Sequence, residues 1–322
     1  MTAAGPIVCV GETMVALVPE PVGPLAAAGA LAVAVAGAES NTAMFLADHG
    51  VPVRWVSALG DDPFGARVLA EVGGCGVDVS GVRTDPTRPT GLLVKDPGAG
   101  GTSVRYYRAG SAASALGPEV LAGPAVDGAW LLHLTGVTAA LSPSCRALVE
   151  QALDGPLRVG FDVNYRPALW PGGRQEAAGV LRDLAGRADV VFVGLDEAQA
   201  LWGEQLTDPA AVRALLPGPR TLVVKDGPRA ATAYDGDTAC TVPAPAVDVV
   251  EPVGAGDAFA AGFLAALHRG EGAVRALRLG HLTAGAALRV AADHGPLPAP
   301  GVLAGLLAAD DAGWKALSLP AT

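Results

Sequence analysis

Two glycines and a carboxylate stand directly before an apolar segment in the stretch "EPVGAGDAFAAGFLAAL", residues 251–267. The apolar residues after Asp257 recur at three- and four-residue spacing, which predicts an α-helix. Gly254, Ala255 and Gly256 then lie where a helix leaves its first N–H groups unpaired, and these groups attract anions together with the helix dipole. Asp257 would repel a phosphate held there, so the helix start alone favours a simple cap.

A second group of polar side chains follows a predicted strand in "FDVNYRPALW", residues 161–170. Asp162, Asn164 and Arg166 stand at alternate positions, so their side chains lie on one side of an extended chain. This arrangement is typical of a binding site at a strand end. The alternative is a surface turn forced by Pro167.

A third candidate is "AGAESN", residues 36–41, which joins a predicted strand to a predicted helix. Gly37 permits close approach of a ligand, and the amide of Asn41 both donates and accepts hydrogen bonds, as a hydroxylated ligand requires. The alternative is that Ser40 and Asn41 only cap the helix.

Two further strand ends carry cations. Arg108 follows Tyr106 at the end of a predicted hairpin, where it would fork onto a carboxylate or phosphate, or only protect a sheet edge. Lys225 and Gly227 end another strand and suit a nucleotide phosphate or an ordinary turn. The chain has no GxxxxGKS/T motif, and residues 254–256 do not belong to a GxGxxG motif, so neither a P-loop nor a dinucleotide site is indicated.

The elements that must position these residues alternate between strand and helix along most of the 322 residues. This order predicts a parallel sheet covered on both faces, with ligands at the carboxyl ends of the strands. The segment 90–110 breaks the alternation with a hairpin, and residues 13–19 and 30–37 form strands with no helix between them. These pieces predict a small separate sheet that forms a lid or a dimer contact, or else an extra antiparallel edge of the main sheet.

The composition excludes several classes of function. With 51% hydrophobic and 17% charged residues the chain is globular, and a net charge of −10 argues against nucleic acid as a partner. Its apolar stretches are too short to span a membrane, and no signal peptide is recognisable. The four cysteines show no CxxC spacing, which is typical of reduced core thiols, so we expect a cytoplasmic protein.

Taken together, "EPVGAGDAFAAGFL" and "AGAESN" resemble the two signatures of the ribokinase-like pfkB carbohydrate kinases, and the order of strands and helices is similar over nearly the whole chain. The resemblance implies a single α/β domain, residues 1–322, folded as a three-layer sandwich with a mostly parallel sheet. It also implies a β-sheet lid built from about residues 13–37 and 89–111. Within the family, "YYRAGSAASAL" and "FDVNYRPALW" resemble the kinases of 2-keto-3-deoxygluconate.

The resemblance also assigns roles to residues. Asp257 would be the base that takes the proton of the acceptor hydroxyl, and the backbone N–H groups of residues 254–256 would stabilise the transferred phosphoryl group. The residues implied for the sugar acid are Gly37, Ala38, Asn41, Tyr106, Arg108, Arg166 and Asp257. Those implied for ATP are Asn164, Lys225, Gly227, Ala230, Gly254 and Gly256. Glu197 would meet Mg²⁺ through water, with a monovalent cation as a further candidate cofactor and a homodimer or higher oligomer, formed through the lid, as the expected assembly.

Three positions depart from the family pattern. Gly194 replaces the Asn of the family's NxxE motif, so a side chain that contributes to the metal network of the family is missing. Glu251 replaces the Asp that opens the C-terminal signature, a position associated with binding of a monovalent cation. Leu93 stands where the sugar-acid subgroup has an aromatic residue.

Other functions stay open beside the sugar-acid kinase. One is a kinase of a neutral sugar or nucleoside, such as fructose or ribose, although the pair Arg108 and Arg166 favours an acid. Another is a non-catalytic sugar-binding regulator on the same fold, which would need no base at Asp257.

Overall fold

The computed structural model describes residues 4–98 and 101–320. Short β-branched runs form strands, and longer segments with apolar residues on one side form helices. The strands are β1 (Ile7–Val10), β2 (Met14–Pro19), β3 (Leu31–Ala36), β4 (Val53–Gly60), β5 (Asp78–Asp85), β6 (Leu92–Gly98), β7 (Gly101–Tyr107), β8 (Leu131–Thr135), β9 (Val159–Asp162), β10 (Val190–Gly194), β11 (Thr221–Asp226), β12 (Ala230–Asp235), β13 (Thr238–Pro243), β14 (Ala246–Val247) and β15 (Ser318–Leu319).

The helices begin at recognisable caps in several cases; Asp62, for example, accepts a hydrogen bond from the N–H of Gly65 at the start of the second helix. The helices are α1 (Ala38–Asp48), α2 (Pro63–Gly74), α3 (Gly136–Leu141), α4 (Pro143–Asp154), α5 (Gly173–Arg187), α6 (Leu195–Trp202), α7 (Pro209–Leu215), α8 (Ala255–His268), α9 (Ala273–Leu288), α10 (Pro300–Leu307) and α11 (Asp311–Lys315). Within the two described ranges, no helix is long and apolar enough to cross a membrane.

The main sheet has nine strands in the order β13-β12-β11-β10-β9-β8-β1-β4-β5. The strands from β11 to β5 pair in parallel, and the hairpin β12–β13 adds an antiparallel edge that the sequence analysis did not predict. Since β1, β8, β9, β10 and β11 are parallel, their carboxyl ends meet at one edge of the sheet.

Both faces of the main sheet are covered, as the three-layer prediction requires. On one face, Ile7 and Phe192 pack with side chains of α1, α2, α8 and α9. On the other, Val8 and Phe161 pack with side chains of α4, α5 and α6. The predicted α/β sandwich is therefore confirmed.

A separate four-stranded sheet, which we call the small sheet, has the order β3-β2-β6-β7. It contains the hairpin that broke the strand–helix alternation, so the alternative of an extra edge on the main sheet is wrong for that hairpin. The turn between β6 and β7 includes residues 99 and 100, which lie outside the described residues. Strand register places Val15, Leu92 and Tyr107 on one face, and Ala16, Leu93 and Tyr106 on the other.

Candidate active site

The candidate functional side chains come from the carboxyl ends of the parallel strands and from the start of α8. Glu12 follows β1, Asn164 follows β9, Glu197 lies in the first turn of the helix after β10, and Lys225 lies near the end of β11. Chain segments far apart in sequence therefore meet at one edge of the sheet, where open α/β folds bind ligands.

Asp257 lies in the first turn of α8 with only 7% of its surface exposed. Its carboxylate accepts one hydrogen bond from the amide Nδ2 of Asn41 at 3.0 Å and one from Nδ2 of Asn164 at 3.0 Å. The helix cap is Gly254, and no side chain caps this helix start. The interpretation of Asp257 as a simple cap is therefore wrong, because its carboxylate is held by side chains from α1 and from the loop after β9.

Burial raises the pKa of Asp257 to about 7, because an ionised carboxylate loses its hydration there. The hydrogen bond from Asn41 and the positive charge of Arg166 lower the pKa and limit the shift, whereas the negative charge of Asp162 raises it. A carboxyl group that titrates near neutral pH is suited to accept a proton from a hydroxyl group at that pH.

This pKa gives a prediction for the pH dependence of catalysis. Only the ionised form of Asp257 accepts a proton, so kcat/KM for the acceptor should rise with pH through an apparent pKa of about 7 and level off above it. The measurement is kcat/KM between about pH 5.5 and pH 9 at saturating ATP. A profile that is flat across this range would contradict a base with the pKa of Asp257.

Gly254 has φ 84°, a left-handed conformation that favours glycine. A Cβ atom at this position would lie 2.8 Å from the carbonyl oxygen of Asp293, so the turn before α8 is packed directly on that residue. The carboxylate of Asp293 also accepts from Nδ2 of Asn41 at 3.4 Å. Asp293 is a site residue that the sequence analysis missed, because it lies in an irregular segment after α9 without a motif.

The residues of "AGAESN" lie beside this cluster, but their helix starts earlier than predicted. Gly37 is the helix cap and makes no side-chain capping bond, so the alternative that Ser40 and Asn41 cap the helix is wrong. The N–H of Asn41 already donates to the carbonyl of Gly37 at 2.8 Å, within the first helical turn. A Cβ atom at Gly37 would lie 2.5 Å from the carbonyl oxygen of Glu12, and Ala38 follows as the first helical residue.

Arg108 is held by a carboxylate that the sequence analysis did not single out. Its Nε donates to Oε2 of Glu12 at 2.6 Å, and a second guanidinium nitrogen pairs with the same oxygen. Ser111 donates to the other oxygen of Glu12, which is itself buried. The guanidinium lies 5.6 Å from the ring centre of Tyr106, so two of the residues predicted to bind the sugar acid are neighbours.

Two of the residues expected to bind the nucleotide, Lys225 and Asn164, are connected through the carboxylate of Asp162. Nζ of Lys225 donates to Oδ2 of Asp162 at 2.9 Å, and the backbone N–H of Asn164 donates to Oδ1 of the same carboxylate at 3.2 Å. The ammonium group also lies 3.3 Å from where a Cβ atom of Gly256 would be. Lys225 therefore stands beside the glycines that begin α8.

Two further residues assigned to ATP lie after Lys225 in the hairpin that β11 and β12 form. Gly227 has φ 50° in the turn after β11, and Ala230 begins β12. Both lie at the carboxyl end of β11, the edge that carries Lys225.

Glu197 connects two strand ends. Its Oε1 accepts from the N–H of Tyr165 at 2.9 Å, its Oε2 accepts from the N–H of Gly194 at 2.8 Å, and a guanidinium nitrogen of Arg166 lies 3.8 Å from Oε1. Burial raises the pKa of Glu197, and the nearby charge of Lys225 opposes this shift. Glu197 therefore braces the loop that presents Asn164 to Asp257.

Known proteins of similar sequence identify the fold and its chemistry. The sequence profile described as pfkB family carbohydrate kinase matches residues 5–300. The chain belongs to this family. The resemblance inferred from the two glycine-containing motifs is thus confirmed.

Relatives in this family carry a more specific name. A 2-dehydro-3-deoxygluconokinase of Thermoproteus tenax is 34% identical over 297 residues, which cover 91% of each chain. Another 2-dehydro-3-deoxygluconokinase, from Bacillus subtilis (strain 168), is 34% identical over 93% of this chain and 94% of its own. The crystal structure of a PfkB protein from Polaromonas sp. JS666 is similar with a TM-score of 0.80 and 35% identity, covering 90% of this chain and 98% of that one.

Proposed function

We propose that the protein is an ATP-dependent kinase that phosphorylates the terminal hydroxyl of 2-keto-3-deoxygluconate, also called 2-dehydro-3-deoxygluconate, to its 6-phosphate. The observation that carries the proposal is the buried Asp257, which has a pKa near 7 and lies beside the glycines at the start of α8. The names of the similar proteins support this substrate.

The chemistry follows from the positions of these groups. Asp257 accepts the proton of the acceptor hydroxyl as that oxygen attacks the terminal phosphorus of ATP, and the bond from this phosphorus to the oxygen of the β-phosphate breaks, which releases ADP. The N–H groups of residues 254–256 and the ammonium group of Lys225 stabilise the charge on the phosphoryl group, a form of catalysis that rests on positioning and electrostatics. A regulator that only binds sugar would need no such base.

The two amides that hold Asp257 also favour a hydroxylated acceptor. The side-chain oxygens of Asn41 and Asn164 are buried and have no hydrogen-bond partner within residues 4–98 and 101–320. Buried polar atoms are nearly always paired, so a ligand that donates hydrogen bonds would complete both. Sugar hydroxyl groups are such donors.

Magnesium fits this site through water. Across the parts of the chain that the structure describes, no group of three His, Cys, Asp or Glu side chains is placed to hold a metal ion. Mg²⁺ usually keeps several waters and is bound by one or two carboxylates together with substrate phosphates. Glu197 has one protein hydrogen bond on each carboxylate oxygen, which leaves a lone pair on each for such a water. When bound, the ion would neutralise charge on the phosphates of ATP.

A monovalent cation at Glu251 would compete with a cation of the chain itself. The ammonium group of Lys95 lies 3.5 Å from Oε2 of Glu251. A cytoplasmic location also remains an expectation from the sequence.

The function is tested by measuring ADP release with a panel of acceptors. We expect 2-keto-3-deoxygluconate to give the highest kcat/KM, with its C4 epimer next and with fructose, ribose and nucleosides well below. If a neutral sugar is the best acceptor, the runner-up kinase is the function. If no acceptor supports ADP release while a sugar acid binds, the protein is a regulator.

We also propose that the small sheet acts as a lid and joins two copies of the chain. Tyr107 is 65% exposed on the face that carries Val15 and Leu92, and Leu31 at the end of β3 is exposed as well. Val15 and Leu92 of this face pack against the main core, so Leu31 and Tyr107 are the exposed side chains at its two edges that a second copy would cover.

The dimer prediction is tested by placing a charge on this face. The double variant Leu31→Asp, Tyr107→Asp should be monomeric in light scattering at micromolar concentration, whereas the wild type should be a dimer or larger. Val302→Asp is the matched control, since Val302 is an exposed valine on α10, outside the small sheet. A wild-type monomer with full activity would contradict the prediction.

A further inference from the structure

A lysine of the small sheet is buried where this sheet meets the rest of the protein. Lys95 lies on β6, only 6% of its surface is exposed, and it shares a face of the sheet with Leu93. Its ammonium group lies 3.5 Å from Oε2 of Glu251 and 3.7 Å from Oδ1 of Asp293. A buried ammonium group is costly unless it is paired, and both of its partners belong to segments outside the small sheet.

Asp293 continues this contact to the base. Its Oδ1 faces Lys95, and its Oδ2 accepts from Nδ2 of Asn41 at 3.4 Å. The same nitrogen of Asn41 donates to Oδ2 of Asp257 at 3.0 Å. One amide group is therefore shared between two carboxylates, and its position depends on both.

The charges around Asp293 show why the lysine matters. Burial raises the pKa of Asp293, the positive charge of Lys95 lowers it, and the negative charge of Glu251 raises it. Without the lysine, the carboxylates of Glu251 and Asp293 would face each other with no cation between them. Asp293 would then bind a proton or move, and either change alters the hydrogen bond that Asn41 makes to it.

We propose that Lys95 is a positioning residue: when the small sheet lies against the body, its ammonium group holds Asp293, which orients the amide of Asn41 on the catalytic carboxylate of Asp257. The inference rests on the proposed kinase function. It links the position of the small sheet to the geometry of the base, so that the site is complete only when the sheet is in place. It also explains why a lysine, and not an apolar residue, occupies a buried position of β6.

The test compares Lys95→Met, which removes the charge and has an unbranched side chain only one atom shorter, with Lys95→Arg, which keeps the charge. We expect Lys95→Met to lower kcat for the sugar acid about tenfold, with the Kd for ATP unchanged, and Lys95→Arg to stay within about threefold of the wild type. Arg83→Met is the control, because Arg83 is an exposed cation of β5 in the main sheet that pairs with Glu119 at 3.0 Å, outside the small sheet and the site. Its kcat should equal that of the wild type.

A double-mutant cycle with Asp293→Asn keeps the proposal testable if the loss of a buried charge affects folding. If Lys95 acts through Asp293, the variant that carries both Lys95→Met and Asp293→Asn should be no slower than Asp293→Asn alone. Losses that multiply, a kcat of Lys95→Met within twofold of the wild type, or an equal loss in Lys95→Arg would each overturn the inference. A wild type without kinase activity would instead contradict the proposed function, so the two failures are distinguishable.

Discussion

The variant Asp257→Asn should bind ATP as tightly as the wild type and turn over about a hundred to ten thousand times more slowly, the usual contribution of a general base. An amide is nearly the same size as a carboxylate but does not accept the proton of the acceptor hydroxyl. The side-chain oxygens of Asn41 and Asn164 are without partners in the described ranges, so a rotated amide of either residue accepts from the new Nδ2 group. Turnover is measured by ADP release, and ATP affinity by calorimetry.

The control for this variant is a real helix cap. Asp208 caps α7 by accepting from the N–H of Ala211 at 2.8 Å, and asparagine is an equally good cap, so Asp208→Asn should be fully active. If Asp257→Asn is as active as this control, within about threefold, Asp257 is not the base.

The substitution Asp257→Asn should not lower the thermal stability of the protein at pH 8. The folded-state pKa of Asp257, about 7, is higher than the pKa of an unfolded carboxyl group, which is about 4. Ionising Asp257 therefore costs folding free energy as the pH rises from about 4 through about 7, and the full cost is present above that range. Asparagine removes this cost, so a lost turnover cannot be attributed to unfolding.

Local signals in the sequence were sufficient to predict the fold and to single out several residues that the structure brings together at the candidate site. The helix start after Gly254 and the loop after β9 are recognisable because the required residues are close together in the chain. Each of these motifs indicates which residues are candidates for the site. None of them predicts which carboxylate accepts a hydrogen bond from which donor.

The missing part of the site consists of contacts between distant segments. Asn41 and Asp257 are 216 residues apart in sequence, and Asn41 and Asp293 are 252 apart. Lys95 meets Asp293 only because the small sheet folds over the body. Pairings of this kind depend on the packing of whole elements and leave no local pattern. Glu12 had one usable signal, since it is a charged residue that follows a buried strand after a single glycine, Gly11.

Arg108 shows how such a pairing changes a sequence-based expectation. The sequence alone predicts that Arg108→Ala weakens the reaction of a sugar acid and spares that of a neutral sugar, because only the acid has a carboxylate. In the folded protein, however, Arg108 neutralises the buried Glu12, and its charge also reaches Glu39, whose pKa is raised by burial and would be raised further without Arg108. Removing the guanidinium therefore leaves the buried carboxylate of Glu12 without a cation, which lowers the rate of reaction with any acceptor.

The preference for an anionic acceptor should become visible when Glu12 is neutralised as well. In the background Glu12→Gln, Arg108→Ala should lower kcat/KM for 2-keto-3-deoxygluconate about ten- to a hundredfold, as expected for the loss of a hydrogen bond between charged groups. kcat/KM for a neutral sugar of similar size should stay within about threefold, since a protein of net charge −10 attracts an anion only through local cations.

The measurement is the ratio of kcat/KM for the acid to kcat/KM for the neutral sugar, before and after the substitution in the Glu12→Gln background. Arg83→Ala is the control, because Arg83 is an exposed arginine that pairs with Glu119 at 3.0 Å away from the residues of the site. It should leave the ratio unchanged. If Arg108→Ala lowers both values by the same factor even when Glu12 is neutral, Arg108 supports the structure of the small sheet and does not recognise the carboxylate of the substrate.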